Sequence, residues 1–232
     1  MRVVNPNFQI DPHLNDEKGY TLDGGVRGVL NNVLYYDVSG FLLMYNKRIG
    51  TILKVDSITY QIVRYRTNVS DSRNMGVEVF AELDWIKLIN RNAKHKLSTF
   101  INTSFINATY INSEQKAFEG KRVEYVPELI MRTGINYGFK DFKFTCQYSY
   151  TDFQYTDATN SEYTPSAIYG IVPAYSVVDL SLSYTYKKFT LSGGVNNLTD
   201  AIYFTRRAEG YPGPGIIPAD PRNIYTTLQF KF

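Results

Sequence analysis

The sequence predicts an all-β chain that forms part of a transmembrane antiparallel β-barrel. Three observations carry this expectation. Apolar and polar residues alternate through most of the 232 residues. The alternating runs exceed the usual length of strands in soluble sheets. The connections between the runs are tight and long by turns.

Taken in order, strands are expected near 20–30, 32–45, 74–86, 95–110, 127–139, 140–155, 174–187, 188–196 and 222–232. A tenth piece near 58–68 either extends the 74–86 strand or forms a hairpin above it. The period of two is plainest in the last strand, where Ile224, Thr226, Leu228, Phe230 and Phe232 share one face and Tyr225, Thr227, Gln229 and Lys231 the other. Before it, Val178, Leu180, Leu182, Tyr184 and Tyr186 oppose Asp179, Ser181, Ser183 and Thr185. Phe142, Phe144, Cys146, Tyr148 and Tyr150 oppose Lys143, Thr145, Gln147 and Ser149. Val77, Val79, Ala81, Leu83 and Trp85 oppose Glu78, Glu82 and Asp84, with Phe80 as the exception.

Several of these runs hold about 10–14 residues, whereas soluble strands average about 5–6 and membrane strands need about 9–11. Tyrosines fall near strand ends, at Tyr20, Tyr45, Tyr110, Tyr137, Tyr150, Tyr175 and Tyr186, as aromatic girdles at two membrane interfaces would require. Leu30–Val33, Lys140–Asp141 and Lys187–Lys188 read as tight turns, and 46–73, 111–126, 154–173 and 197–221 as long polar loops. Short periplasmic turns and long extracellular loops mark outer-membrane barrels. The apolar face then meets lipid, and the Asp, Ser, Thr, Gln and Lys face lines a lumen that is a channel or is plugged. Nine strands is an odd number, and single-chain bacterial barrels have even counts, so further strands are expected upstream.

Composition excludes several other classes. A net charge of +3 gives no nucleic-acid footprint. The single cysteine, Cys146, permits no internal disulfide, so this is not a small stapled scaffold. No apolar run of about 18 residues offers a transmembrane helix, and Met1–Tyr20 lacks the apolar core of a signal peptide.

Particular stretches then resemble a family. Gly194-Val195-Asn196-Asn197-Leu198-Thr199-Asp200 with Tyr203-Phe204 resembles the G-V-x-N-L-F/T-D-x-x-Y-F box of TonB-dependent outer-membrane receptors. Residues Asn68 to Glu78 resemble their N-x-G-x-x-x-x-x-G-V-E element, with Ser70 where glycine is usual. Tyr125-Val126-Pro127-Glu128 and Pro173-Ala174-Tyr175-Ser176-Val177-Val178-Asp179 are similar to the starts of family strands. The terminal strand, closing on Phe230 and Phe232, looks like the outer-membrane assembly signal. The stretch from Tyr203 to Arg207, with Tyr211 to Asp220, is similar to ferric-citrate-type receptors, especially those of Bacteroidetes.

The resemblance implies that residues 1–232 are the C-terminal part of the receptor barrel, about 9–10 strands of roughly 22. The plug domain and the TonB box are absent from them. It implies the cell outer membrane as location, active uptake of a ferric chelate (ferric citrate or another siderophore) as function, and no enzymatic activity. The implied partners are the chelate or another small substrate, the TonB complex acting through the missing N-terminal part, the barrel-assembly machinery, and outer-membrane lipid and lipopolysaccharide. No cofactor is implied.

Four guanidiniums and a tyrosine are the candidate ligand contacts. Arg206 and Arg207 lie in the last long loop, and two guanidiniums hold carboxylates bidentately. Arg64 and Arg66 alternate on one face beside an earlier loop. Tyr211 sits in a loop stiffened by prolines and shaped by glycines. Each also fits an ordinary solvated loop, and Arg48, Arg73 and Arg122 read as surface charge. His13 and His95 lack Cys or His partners at ligand spacing, which disfavours a protein-built transition-metal site. Asp16, Glu17, Glu114 and Glu119 are loop carboxylates that fit a Ca²⁺ ion or plain solvation. Arg91, Lys94, His95 and Lys96 form a basic cluster at a periplasmic turn.

Three other functions remain open on the residues alone. A passive outer-membrane porin needs neither plug nor TonB box. A soluble β-sandwich binding or adhesion module would stay soluble without detergent. An outer-membrane enzyme needs a nucleophile beside a histidine, and neither histidine has one in sequence.

Overall fold

Alternation of this length should produce strands that pair with their sequence neighbours, and it does. A computed structural model of the protein describes residues 8–113, 116–164, 168–208 and 215–232. The strands are β1 (Phe8–Ile10), β2 (Lys18–Leu30), β3 (Leu34–Val55), β4 (Ile62–Asp84), β5 (His95–Ile111), β6 (Leu129–Phe139), β7 (Phe142–Thr151), β8 (Gln154–Tyr155), β9 (Ile171–Val172), β10 (Tyr175–Tyr186), β11 (Phe189–Asn196), β12 (Phe204–Ala208), β13 (Gly215–Pro218) and β14 (Asn223–Phe230). Among the described residues one short helix, α1, covers Trp85–Ile89. Nine strands run in the order β14-β11-β10-β7-β6-β5-β4-β3-β2, every pair antiparallel. The wall is therefore a meander; among the described residues two small ribbons, β8–β9 and β12–β13, and α1 interrupt it. It is a partial barrel, with β2 and β14 as its edges among the described residues.

Register assigns the faces. Directly paired residues share a side of the sheet, so a row across the strands can be followed. Ile135, Cys146, Leu180, Val195 and Ile224 are successive partners, and all are apolar. One residue along, Asn136, Thr145, Ser181, Gly194 and Tyr225 form the neighbouring row on the opposite face. Polar groups on that face satisfy one another: Ser98 Oγ donates to Glu82 at 2.6 Å, and Thr145 Oγ1 to Asn136 at 2.9 Å. Phe80 stands on the polar side, opposite Asp37 and Asn102, and packs edge-on against Tyr35. Phe100 also faces inward, and the wall accepts its ring through a glycine. A Cβ at Gly134 would lie 2.7 Å from the Phe100 ring and 2.4 Å from the Cys146 carbonyl oxygen.

The tight turns sit together at one end. Asn31, Asn32, Lys140 and Lys187 all take positive φ, between 51° and 57°. Mirror-image turns of this kind match the right-handed twist of paired strands. After glycine, Asn is among the residues that tolerate that region best, and the two lysines occupy it as single residues.

Three expectations need correction. Residues 46–73 are not a loop, because β3 and β4 continue as a ladder to a tip at 56–61. The 58–68 piece does both things foreseen for it, since it extends β4 and forms one arm of that hairpin. A bulge between Tyr45 and Arg48, with Lys47 at φ 55°, separates the extension from the wall. The 74–86 strand stops at Asp84, whose carboxylate accepts the Lys87 amide and caps α1. The 140–155 strand breaks after Thr151, where the Asp152 carboxylate turns back to accept the Phe153 amide.

The face assignment can be tested on adjacent residues of β10. Leu182→Arg should destabilise the assembled barrel by about 2–4 kcal/mol at mid-depth, and less nearer the rim, while Ser183→Arg should cost far less. Urea unfolding in lipid vesicles reads the difference; equal losses would remove the assignment.

Candidate ligand site at the barrel mouth

At the end opposite the tight turns, the long connections fold onto the wall instead of hanging free. The β3–β4 hairpin rises highest. Its tip is an Asx turn in which Asp56 accepts the amides of Ile58 and Thr59, the Thr59 hydroxyl and the Gln9 side-chain amide. The Thr59 amide first, then Gln9, holds the Asp56 carboxyl well below the usual carboxylate range. β1 pairs in parallel with the upper part of β4. Below it, Asp11 accepts Thr67 Oγ1 at 2.6 Å, and that bond also lowers the Asp11 pKa. Asn68 and Asn15 exchange hydrogen bonds, and Asn68 donates to the Lys47 carbonyl at the bulge. The segment before β2 is thereby stapled to the hairpin.

A small hydrophobic core forms where the 111–126 and 154–173 segments close over the upper strands. Ile52, Val69, Ala108, Tyr110, Phe118, Val123 and Ala158 are buried in it, and Tyr65, Ile106 and Val126 pack against it. The Tyr110 side chain is fully buried, and its hydroxyl donates to Glu124. Arg122, expected as surface charge, is largely buried. It pairs with Glu128 at 3.0 Å and lies 4.7 Å from the Phe153 ring centre. Its backbone exchanges hydrogen bonds with the Asn160 side chain. Arg48 is half-buried above the Tyr45 ring. Arg73 is half-buried too.

The candidate arginines do not form one cluster. Arg64 donates to the Tyr169 hydroxyl at 2.7 Å, and Arg207 donates to the Ile171 carbonyl at 2.8 Å. Both therefore grip the same segment, beside β9, from two different loops. Arg206 and Arg207 are successive residues of one strand, so they point to opposite sides. Arg207 is half-buried over the Phe204 ring, and Arg206 is exposed. Arg66 is exposed on the tall hairpin. Tyr211 lies outside the described residues, as does Glu114. Of the other loop carboxylates, Glu17 accepts the Ile49 amide and Glu119 pairs with Lys116. Among the described residues, no three His, Cys, Asp or Glu side chains converge as a metal site.

Lower on the inward face, Asp37, Glu78, Asn102, Ser104 and Arg132 line a polar recess of about 580 Å³. At the top of β11, Asn197 closes a turn. Its side chain accepts the Ala201 amide and donates to the Ala201 carbonyl, while its own amide donates to Asp179.

Comparison with known proteins decides what kind of wall this is. The model of the family described as TonB dependent receptor-like, beta-barrel, matches residues 2–198. The chain belongs to that family. Its members are outer-membrane transporters and not enzymes. In a TonB-dependent receptor barrel the Asn197 turn and Asp179 belong to the two stretches that carry the resemblance near the C-terminus, and their hydrogen bonds join β10 to the loop after β11.

Solved structures agree in fold. The unliganded ferric citrate transporter FecA superposes with a TM-score of 0.75 at 22% identity, over 93% of this chain and 31% of that one. The ferric yersiniabactin uptake receptor FyuA from Yersinia pestis gives 0.68 at 18%, over 93% and 30%. The copper transporter OprC gives 0.70 at 20%, over 93% and 31%. This chain thus spans about a third of the length of these transporters. No curated protein sequence matches it significantly.

The braced mouth yields a prediction at Tyr110. Tyr110→Phe removes a hydrogen bond to a charged acceptor, a loss of about 1.5–3 kcal/mol, and should loosen residues 118–126 locally. Amide hydrogen exchange there should speed up, whereas Tyr163→Phe at an exposed position should change nothing. Identical exchange in both variants would show that the brace does not hold the loop.

Proposed function

We propose that residues 1–232 form the C-terminal wall of a TonB-dependent receptor that takes up a ferric chelate, with ferric citrate as the first candidate. The remaining strands of a roughly 22-stranded barrel, the plug and the segment that meets the TonB complex belong to the upstream part. The edges of β2 and β14 support this division. Unpaired backbone groups in lipid cost several kcal/mol each, so both edges call for partner strands.

The observation that carries the substrate class is the pair of exposed guanidiniums, Arg206 and Arg66, on a mouth whose other loops are tied down. A rigid rim loses little conformational freedom on binding, and guanidinium suits the carboxylates of an anionic chelate. Arg64 and Arg207 contribute indirectly, by fixing the segment between the two loops. Tyr211 remains a candidate contact in the last loop.

Arg206→Ala should weaken ferric citrate capture roughly tenfold without lowering barrel abundance, because one charge-assisted bond contributes about 1.5–3 kcal/mol and about 1.4 kcal/mol is a factor of ten. Arg207→Ala should weaken capture and also raise protease sensitivity around residue 171. Radioactive iron uptake in cells carrying the whole receptor, with a cationic siderophore as control, makes the comparison. Unchanged ferric citrate affinity in Arg206→Ala would sink the arginine assignment, and absent transport by the parent would sink the substrate.

The C-terminal aromatics are proposed as the signal read by the assembly machinery. Phe230 packs beside Phe189 on the lipid face at 4.8 Å, and Phe232 is fully exposed. Phe232→Ser should lower the amount of heat-modifiable barrel in the outer membrane; wild-type amounts would count against the signal.

A further inference from the structure

The periplasmic rim carries an arrangement that uptake does not require. Its longest connection, from Trp85 to Lys94, does not turn inward. Trp85 Nε1 donates to Thr99 Oγ1 at 2.9 Å. Thr99 pairs with Leu83 and Ile135, and so lies on the lipid face of β5. α1 is therefore fastened to the outside of the wall. Its apolar side chains are uncovered there: Trp85 is 43% exposed, Leu88 57% and Ile89 87%.

Around it the exposed charge is mostly positive. Lys87, Arg91 and Lys94 project from this connection, Lys140 from the next turn, and Lys187 and Lys188 from the one after. All six are exposed, and none pairs with a carboxylate among the described ion pairs. The carboxylates at this end are few. Asp84 caps α1, Glu82 is held by Lys96 and Ser98 on the inward face, and Asp141 stands in a turn. The extracellular end, by contrast, mixes both signs, with Asp11, Glu17, Asp56, Glu119 and Asp200 among its cations. Two of the rim lysines also lie over aromatic rings on the lipid side: Lys140 is 5.3 Å from the Phe139 ring centre and Lys187 5.4 Å from that of Tyr186. His95 stacks on Phe139 at 4.1 Å and bonds the Tyr137 hydroxyl. An aromatic belt with amines folded just beyond it matches the boundary between acyl chains and phosphates.

We propose that this rim is a binding surface for anionic phospholipid of the leaflet facing the periplasm. Trp85, Leu88 and Ile89 sit at the boundary of the acyl chains, in the manner of an interfacial amphipathic segment. Lys87, Arg91 and Lys94 face the phosphates, with Lys140, Lys187 and Lys188 continuing the same belt along the wall. The proposal rests on the membrane reading of the sheet but not on the identity of the chelate, so failure of one leaves the other standing.

The test uses the whole receptor carrying this chain, purified from outer membranes and placed in vesicles of phosphatidylethanolamine with a minor share of phosphatidylglycerol. Native mass spectrometry then reads which lipid stays bound. The parent should retain phosphatidylglycerol in preference to phosphatidylethanolamine. A variant with Lys87→Gln, Arg91→Gln and Lys94→Gln should lose that preference by about tenfold or more, since each basic side chain near an anionic surface is worth roughly fivefold. The charge-preserving set Lys87→Arg, Arg91→Lys and Lys94→Arg should keep it, and heat-modifiable mobility confirms that all three proteins are assembled. The position of α1 is read from Trp85, the one tryptophan of the chain, as the fluorescence difference between parent and Trp85→Phe. Lipids brominated on the acyl chain near the headgroup should quench that difference signal. An unchanged phosphatidylglycerol preference in the glutamine variant, a parent that retains lipopolysaccharide instead, or a Trp85 signal quenched only by aqueous acrylamide would each overturn the proposal.

Discussion

Backbone hydrogen bonding inside hydrocarbon governs this molecule. No water reaches the bilayer core, so each N–H and C=O there must find a partner in a neighbouring strand. The registers from β2 through β11 to β14, continuous below the bulge at Tyr45–Arg48, meet that demand. Tight turns follow from it, because adjacent strands that pair along their whole length end opposite one another. The positive φ of Asn31, Asn32, Lys140 and Lys187 is the local cost of making those turns. The two faces follow as well. With the ladder fixed, a slip of one residue would turn Leu180 and Cys146 inward and Ser181 and Thr145 toward lipid, which the surrounding acyl chains strongly oppose.

Above the membrane the constraint is lifted, and the structure changes character. Strands continue in β3 and β4, but polar residues now occupy both sides, and stability comes from side chains that satisfy loop backbone. Asp56, Asp152 and Asp157 each accept amides within their own turns. Arg122 and Asn160 join two loops, Arg64 and Arg207 hold the far part of the second, and Tyr110 with Glu124 closes the small core. The mouth is thus organised before any ligand arrives. Some guanidiniums are consumed in making it rigid, and this leaves Arg206 and Arg66 as the exposed ones among the four candidates.

How much of this was legible in the sequence depends on where the two regimes lie. The wall strands and their faces could be read because lipid on one side and a polar lumen on the other impose strict alternation, as in Leu180, Ser181, Leu182 and Ser183. Only one arm of the upper hairpin, the 58–68 piece, could be read as strand; the other, with Lys47, Arg48, Gly50 and Lys54, reads as polar loop. α1 hid inside the alternation of Leu83 and Trp85, although Asp84 three residues before Lys87 was a usable capping signal. The mouth contacts link residues far apart in sequence, such as Arg122 with Asn160 and Arg207 with Ile171, and no local pattern announces them. The opposite orientation of Arg206 and Arg207, however, follows from strand geometry alone once β12 is known to be a strand.

The central claim is an orientation: a wall whose braced loops meet the outside and whose tight turns and basic rim meet the periplasm. Single cysteines at Thr159 and Asn92, in whole cells carrying the complete receptor, test it with a membrane-impermeant maleimide. Both positions are exposed, and the native Cys146 lies on the lipid face. Thr159 should label in intact cells and Asn92 only after the outer membrane is permeabilised. Labelling of Asn92 but not Thr159 in intact cells would contradict it.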